Sequence, residues 1–280
     1  LSVLAQLSTE VWIAYSVFAG LCIGSFLNVV AYRLPIMMEA QWEADLREAK
    51  GEEAIPQSRF NLLLPRSHCP SCKTPIKPWH NIPVISFLLL KGRCAHCNAV
   101  FGWRYPAVEL FTGFCFGILA YLHTPTFLAF ALMGLTSALI VLALIDLDTF
   151  LLPDAITLPL IWLGLLTNMV TGAVPLDAAV LGAITGYMML WLIYHLFKLV
   201  TGKEGMGYGD FKLLAATGAW FGFASLFSVL LVSSVSGVVF GLIIQKVRGV
   251  GHSEPFPFGP SIVFGTFCWM VGLDITRFLI

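Results

Sequence analysis

The sequence predicts an all-α polytopic membrane protein of about eight transmembrane helices, with one hydrophilic domain inserted after the first of them. Three observations predict it. Apolar residues form 58% of the chain and charged residues only 11%, with a mean hydropathy of +0.85, far from the balance of a soluble domain. Apolar runs of about 20 residues, enough to cross a bilayer, recur along the chain. Residues 33–105, by contrast, gather 10 of the 16 Lys/Arg and 6 of the 16 Asp/Glu. The expected organisation is a first span at 1–34, a cytoplasmic domain at 35–105 and a membrane-embedded part at 106–280.

The first apolar run is 11–34, which reaches Arg33. Runs at 106–122 and 127–145 follow, separated by His123-Thr-Pro-Thr126 without a basic residue. Runs at 155–170 and 176–199 are joined by Thr171-Gly-Ala-Val-Pro175, again without one. The stretch 213–245 is too long for one span and just long enough for a tight hairpin of two short ones, and 262–278 closes the chain. The segment 82–90 is too short to span and belongs to the inserted domain. Basic residues orient these runs: the 33–105 domain, the 198–212 loop and the 246–252 loop are expected in the cytoplasm, with both termini on the far side. Arg277 is the one basic residue against that arrangement. No basic n-region precedes the first run, so no signal peptide is expected.

This topology brings two ionisable groups to one face. Asp146 ends the third run and Asp210 opens the sixth, in Gly205-Met-Gly-Tyr-Gly-Asp210. An acid at the edge of an apolar span is costly and usually functional, and two on one side can share a proton and activate water. Asp148, about 200° round a helix from Asp146, is expected to be solvated or to assist from further out. Asp154 follows Pro153 and reads as a helix N-cap. The glycines before Asp210 let the chain fold tightly beside a carboxylate; Lys212 fits a basic rim or tunes Asp210.

Cys69-Pro-Ser-Cys72 and Cys94-Ala-His-Cys97 are paired C-x-x-C knuckles, the ligand set of a tetrahedral structural zinc. A cytoplasmic setting argues against disulfides, and a small apolar-poor domain gains folding free energy from a metal. Gly20-x-x-x-Gly24 reads as helix packing, His195 as bonded to a neighbouring helix, and Trp12, Trp103 and Trp269 as interfacial anchors.

Gly24-Ser-Phe-Leu-Asn28, Arg33-Leu-Pro35, the cysteine knuckles, Asn81-Ile-Pro83, Arg104-Tyr-Pro-Ala-Val-Glu109, Asp146-Leu-Asp148 with Leu152-Pro-Asp154, Gly205–Lys212 and Pro257-Phe-Gly-Pro260 together resemble the type IV prepilin leader peptidases, in order over nearly the whole chain. The resemblance implies a G-x-G-D membrane aspartyl protease of the bacterial inner membrane. It would cleave the leader of type IV prepilins and of type II secretion pseudopilins at the cytoplasmic face, then methylate the new N-terminus with S-adenosylmethionine. By resemblance the catalytic pair falls on Asp146 and Asp210, and a cytoplasmic zinc-binding domain holds zinc through Cys69, Cys72, Cys94 and Cys97. No S-adenosylmethionine site is legible, because no alternating strand–helix pattern with a Gly-rich turn is present. The bilayer and the pilins are the expected partners; no nucleic acid is.

Two other functions fit parts of the pattern. An ion-coupled transporter would use the aspartates to carry protons or cations, but such groups sit near the midplane, often in repeats. A zinc-dependent assembly scaffold would leave them as solvated rim residues.

Overall fold

The computed structural model describes residues 8–52, 60–203, 205–248 and 256–275. Among them regular structure is helical throughout, apart from two isolated β-bridges. The chain forms two compact units, one running to Tyr121 and one starting at Leu122. Arg277 and most of the 246–252 loop lie outside the described residues.

The first unit is built on α1 (Thr9–Ala49), α2 (Ile85–Leu89) and α3 (Arg104–Leu122). The Ser8 hydroxyl accepts from the Val11 amide at 3.5 Å to start α1. At 41 residues, α1 is about 62 Å long, twice the hydrocarbon thickness of about 30 Å. The expected span at 11–34 is thus only its first part, and the helix runs on past Glu39, Glu43, Asp45 and Glu48 to Ala49. Gly20 and Gly24 let α1 touch α3: a Cβ on either would stand 2.8 Å from the Cα of Gly113 or Glu109. The packing role expected of this pair is what the two helices display. Trp12 is only 2% exposed, so it is a core residue of this unit and not the interfacial anchor expected. Helix α3, placed by sequence at the head of the 106–280 part, belongs to this first unit.

The second unit holds α4 (Phe127–Thr149), α5 (Asp154–Thr171), α6 (Leu176–Thr201), α7 (Tyr208–Phe221), α8 (Phe223–Arg248) and α9 (Gly259–Met270). Every expected run holds a helix among the described residues, but the helices are unequal, and the last run, 262–278, is helical only to Met270. Among the described residues six helices are long and apolar enough to cross a membrane, which makes this a multi-pass membrane protein. The 213–245 stretch breaks at Gly222, φ +76°, into 14-residue α7 and 26-residue α8, not into two matched short spans. Helix α9 has only 12 residues.

The reason α7 can be short is that it is buried: Phe211, Leu213, Leu214 and Ala219 are wholly enclosed. In a dry interior its terminal carbonyls need partners. Asn168 of α5 donates to the carbonyls of Ala219 and Trp220 at 2.9 and 3.0 Å. Gly182 and Gly186 of α6 lie directly against the α7 backbone at Gly218 and Leu214, the close small-residue contact that membrane helices favour. Thr217 of α7 and Thr266 of α9 share a hydrogen bond of 2.9 Å. His195 bonds the Trp191 carbonyl of its own helix at 2.9 Å and stacks on that ring, so its expected bond to a neighbouring helix is replaced by a local one.

Candidate active site and metal centre

Helix α4 stops at Phe150, which takes a left-handed conformation (φ 57°, ψ 28°) and returns its N–H to the Asp146 carbonyl at 2.9 Å. This leaves Asp146 in the last turn with its side chain inward, 4% exposed. Asp148, two residues on, is exposed, as the helical angle requires. The Asp146 Oδ2 accepts from the backbone N–H of Gly259 at 2.9 Å, the first residue of α9. A carboxylate at a helix N-terminus meets unpaired N–H groups and the positive end of the dipole.

Asp210 is arranged in the same way on another helix. It is the third residue of α7, whose N-cap is Gly207, and its carboxylate accepts from the Gly207 N–H, half of a capping box. Asp210 is 7% exposed, and the Asp146 charge acts on it directly. The Gly-rich loop is held to α6 by rings: Tyr208 and Phe211 pack on Tyr194 at 5.4 and 5.7 Å between centroids.

Leu152, in the turn between α4 and α5, locks the two acids' surroundings together. A Cβ on Gly209 would fall 2.7 Å from the Leu152 Cβ, and one on Gly259 would fall 3.3 Å from its Cδ2 and 2.6 Å from Asp146 Oδ2. At both glycines it is close approach, not turn conformation, that the missing side chain serves. Nearby, Lys212 Nζ binds both carboxylate oxygens of Asp154 at 2.6 and 2.7 Å. Lys212 is thus committed to Asp154, which corrects its expected influence on Asp210. Asp154 is the first helical residue of α5, and Pro153 occupies the N-cap position without a side-chain bond, so the expected aspartate cap is replaced by an ion pair. Gly259 is the functional contact that sequence reasoning missed: it stood in the quoted Pro257–Pro260 string with no role attached. Two buried carboxylates, each with one oxygen held by a backbone amide, can share one proton and act as an acid–base pair on water.

In the first unit the four cysteines meet. The sulfurs of Cys69, Cys72, Cys94 and Cys97 all lie within 4.8 Å of one another, with Cys69–Cys97 at 3.7 Å and Cys72–Cys94 at 4.0 Å. A tetrahedral zinc with bonds of about 2.3 Å needs sulfurs about 3.8 Å apart, so the set fits. The two knuckles are near copies. Cys69 N–H bonds the Thr74 carbonyl and Lys73 N–H the Cys69 carbonyl; Cys94 N–H bonds that of Ala99 and Asn98 N–H that of Cys94. Lys73 and Asn98 both take φ 58°, and the bridges His68–Pro75 and Arg93–Val100 close each loop. Hydrogen bonds from the Thr74 side chain and backbone hold the Cys72 thiol down to about 6; the Cys97 and His96 amides lower Cys94. The Ala99 amide favours a Cys97 thiolate, but desolvation and its sulfur neighbours win and push it up to about 12. His68 and His96 are exposed and outside the cluster.

Comparison with known proteins now bears on these two centres. Residues 133–242 match the Type IV leader peptidase family and residues 18–123 the Bacterial Peptidase A24 N-terminal domain. The chain is 49% identical over 273 residues to the prepilin leader peptidase/N-methyltransferase of Aeromonas salmonicida (strain A449), covering 95% of this chain and 94% of that protein.

The chain belongs to the type IV leader peptidase family.

Proteins of the same name from Pseudomonas aeruginosa (48% identity, 94% of this chain, 91% of the relative) and Neisseria gonorrhoeae (48%, 87% and 84%) agree. No solved structure gives a significant match. The leader peptidase match holds both aspartates and the N-terminal match all four cysteines, so each centre falls within its own matched region.

Proposed function

We propose that this protein cleaves the leader peptide of type IV prepilins, and of the pseudopilins of type II secretion, through Asp146 and Asp210, and then methylates the new N-terminus with S-adenosylmethionine. The observation that carries the reading is the pair of buried carboxylates, each steadied by one backbone amide, whose neighbouring glycines Gly209 and Gly259 both pack on Leu152. With the two acids sharing a proton, the ionised member takes a proton from water as the water oxygen attacks the scissile carbonyl. The protonated member donates to the carbonyl oxygen, and the leaving amine departs with a proton from the pair. The Gly259 and Gly207 amides fix one oxygen of each carboxylate, so the other oxygens are free to face water and substrate.

Basic residues at 198–212 and in the first unit orient this chemistry to the cytoplasmic face of the inner membrane. Zinc, held by Cys69, Cys72, Cys94 and Cys97, has a closed four-sulfur shell and a structural role. S-adenosylmethionine supplies the methyl group when bound. A proton-coupled transporter is not favoured: the acids sit at helix termini, and the chain's relatives carry a peptidase name. Purified protein incubated with a prepilin in detergent should release a shortened pilin, and mass spectrometry should find a methylated N-terminus once S-adenosylmethionine is added. An unprocessed substrate with intact, zinc-loaded protein would overturn the proposal.

A further inference from the structure

Four of the quoted motifs take no part in the aspartate site: Gly24–Asn28, Arg33–Pro35, Asn81–Pro83 and Arg104–Glu109. They come from separate stretches of the first unit, yet they line one cavity of about 330 Å³, within the range of small-molecule sites. Glu109 sets its chemistry. The side chain is buried, and one oxygen accepts from the Val84 amide at 2.8 Å. Among the described residues it forms no ion pair, so a buried carboxyl group faces the cavity without a cationic partner. Val84, a β-branched residue, is held at φ 59°, a conformation that persists where the surroundings impose it and that clusters at ligand sites.

A positive charge comes from Arg33, also buried. Its guanidinium donates to the carbonyls of Asn61 and Pro65 at 2.8 and 2.6 Å, which leaves three of its five N–H donors. Asn28 and Asn81 add amides, and Phe87, Phe101 and Tyr105 supply a wall of rings. The fitting occupant carries a cation, an anion and a flat ring system. We infer that this cavity binds S-adenosylmethionine, with Glu109 holding its cationic centre, Arg33 its carboxylate and the aromatic wall its purine. The inference rests on the methyltransferase reading and gives it a place.

The test is binding, not turnover. Full-length zinc-loaded protein in detergent is dialysed against tritiated S-adenosylmethionine. Glu109→Gln keeps an oxygen for the Val84 amide and removes only the charge; Val29→Phe fills the cavity without touching a polar group. Each should weaken binding about tenfold or more, with zinc content and unfolding temperature unchanged, and ultraviolet crosslinking should place the label between residues 25 and 109. Wild-type affinity in both variants, or label confined beyond residue 122, overturns the site while the methyltransferase reading stands. So does loss of binding to a mature pilin N-terminal peptide with S-adenosylmethionine binding intact, which would give the cavity to the acceptor. A wild-type protein that neither binds S-adenosylmethionine nor methylates removes both.

Discussion

Replacing Gly259 by alanine tests the aspartate site through a residue that carries no chemistry of its own. The new methyl group would stand 2.6 Å from Asp146 Oδ2 and 3.3 Å from Leu152 Cδ2. Ordinary contact begins near 3.4 Å, so the carboxylate must retreat by roughly 0.8 Å. Gly259 does not have a positive φ, so alanine is not forced into a left-handed conformation; Pro260, next in the chain, adds a modest cost for a residue with a Cβ, and the obstructing atom is the end of a side chain that can rotate away. Folding stability should therefore change modestly, by about 1 kcal/mol. Catalysis should not be spared, because misplacement of about 1 Å can cost about a hundredfold. Stretching the Gly259–Asp146 bond, a hydrogen bond to a charged group, forfeits part of about 1.5–3 kcal/mol, or roughly ten- to a hundredfold in rate. Gly259→Ala should lower leader cleavage by that factor in a timed gel-shift assay, with an unfolding temperature close to wild type. Cleavage at the wild-type rate would refute the reasoning that the α9 amide positions Asp146.

Asp146→Asn and Asp210→Asn should each abolish leader cleavage, the double variant being no worse than either single one, because residues acting as a unit fail together; Asp148→Asn should lose only a modest fraction. Substantial cleavage by Asp146→Asn with a dead Asp148→Asn would move the first catalytic residue by two positions. Cys72→Ser should release the metal, read as a fall from one zinc per chain by elemental analysis, and should lower methylation more than cleavage. Lys212→Ala should cost no more than about 1 kcal/mol, since its pairing with Asp154 is a surface ion pair, and a cleavage loss above tenfold would show that Lys212 acts on the aspartates after all.

The cysteine cluster was legible because its information is local: two C-x-x-C strings carry their own spacing. The burial of Asp146 and the exposure of Asp148 were legible as well, since helical rotation alone turns one inward and the other out. What could not be read was anything set by a distant partner. The Gly259 amide reaches Asp146 across 113 residues, and the Lys212–Asp154 pair spans 58; neither leaves a local trace. Helix α7 hid for another reason. The 213–245 stretch is apolar on both sides of Gly222, and only Asn168, two helices earlier, shows where α7 ends. Trp12 misled because tryptophan near a span end is usually interfacial, whereas here it is enclosed.

The continuous α1 makes the first unit a lever. Pro35 lies within it, where its missing N–H leaves the Ala31 carbonyl without its helical partner and opens one side of the rod to bending. Beyond that point the arm from Ile36 to Ala49 is about 21 Å long, so flexing by about 15° swings its tip by about 5 Å. Asn28 and Arg33 lie on the near side of the joint, anchored against Tyr105, Asn61 and Pro65. The pivot thus falls immediately past the anchored segment, and the outer arm can sweep while the inner part of the helix keeps its grip.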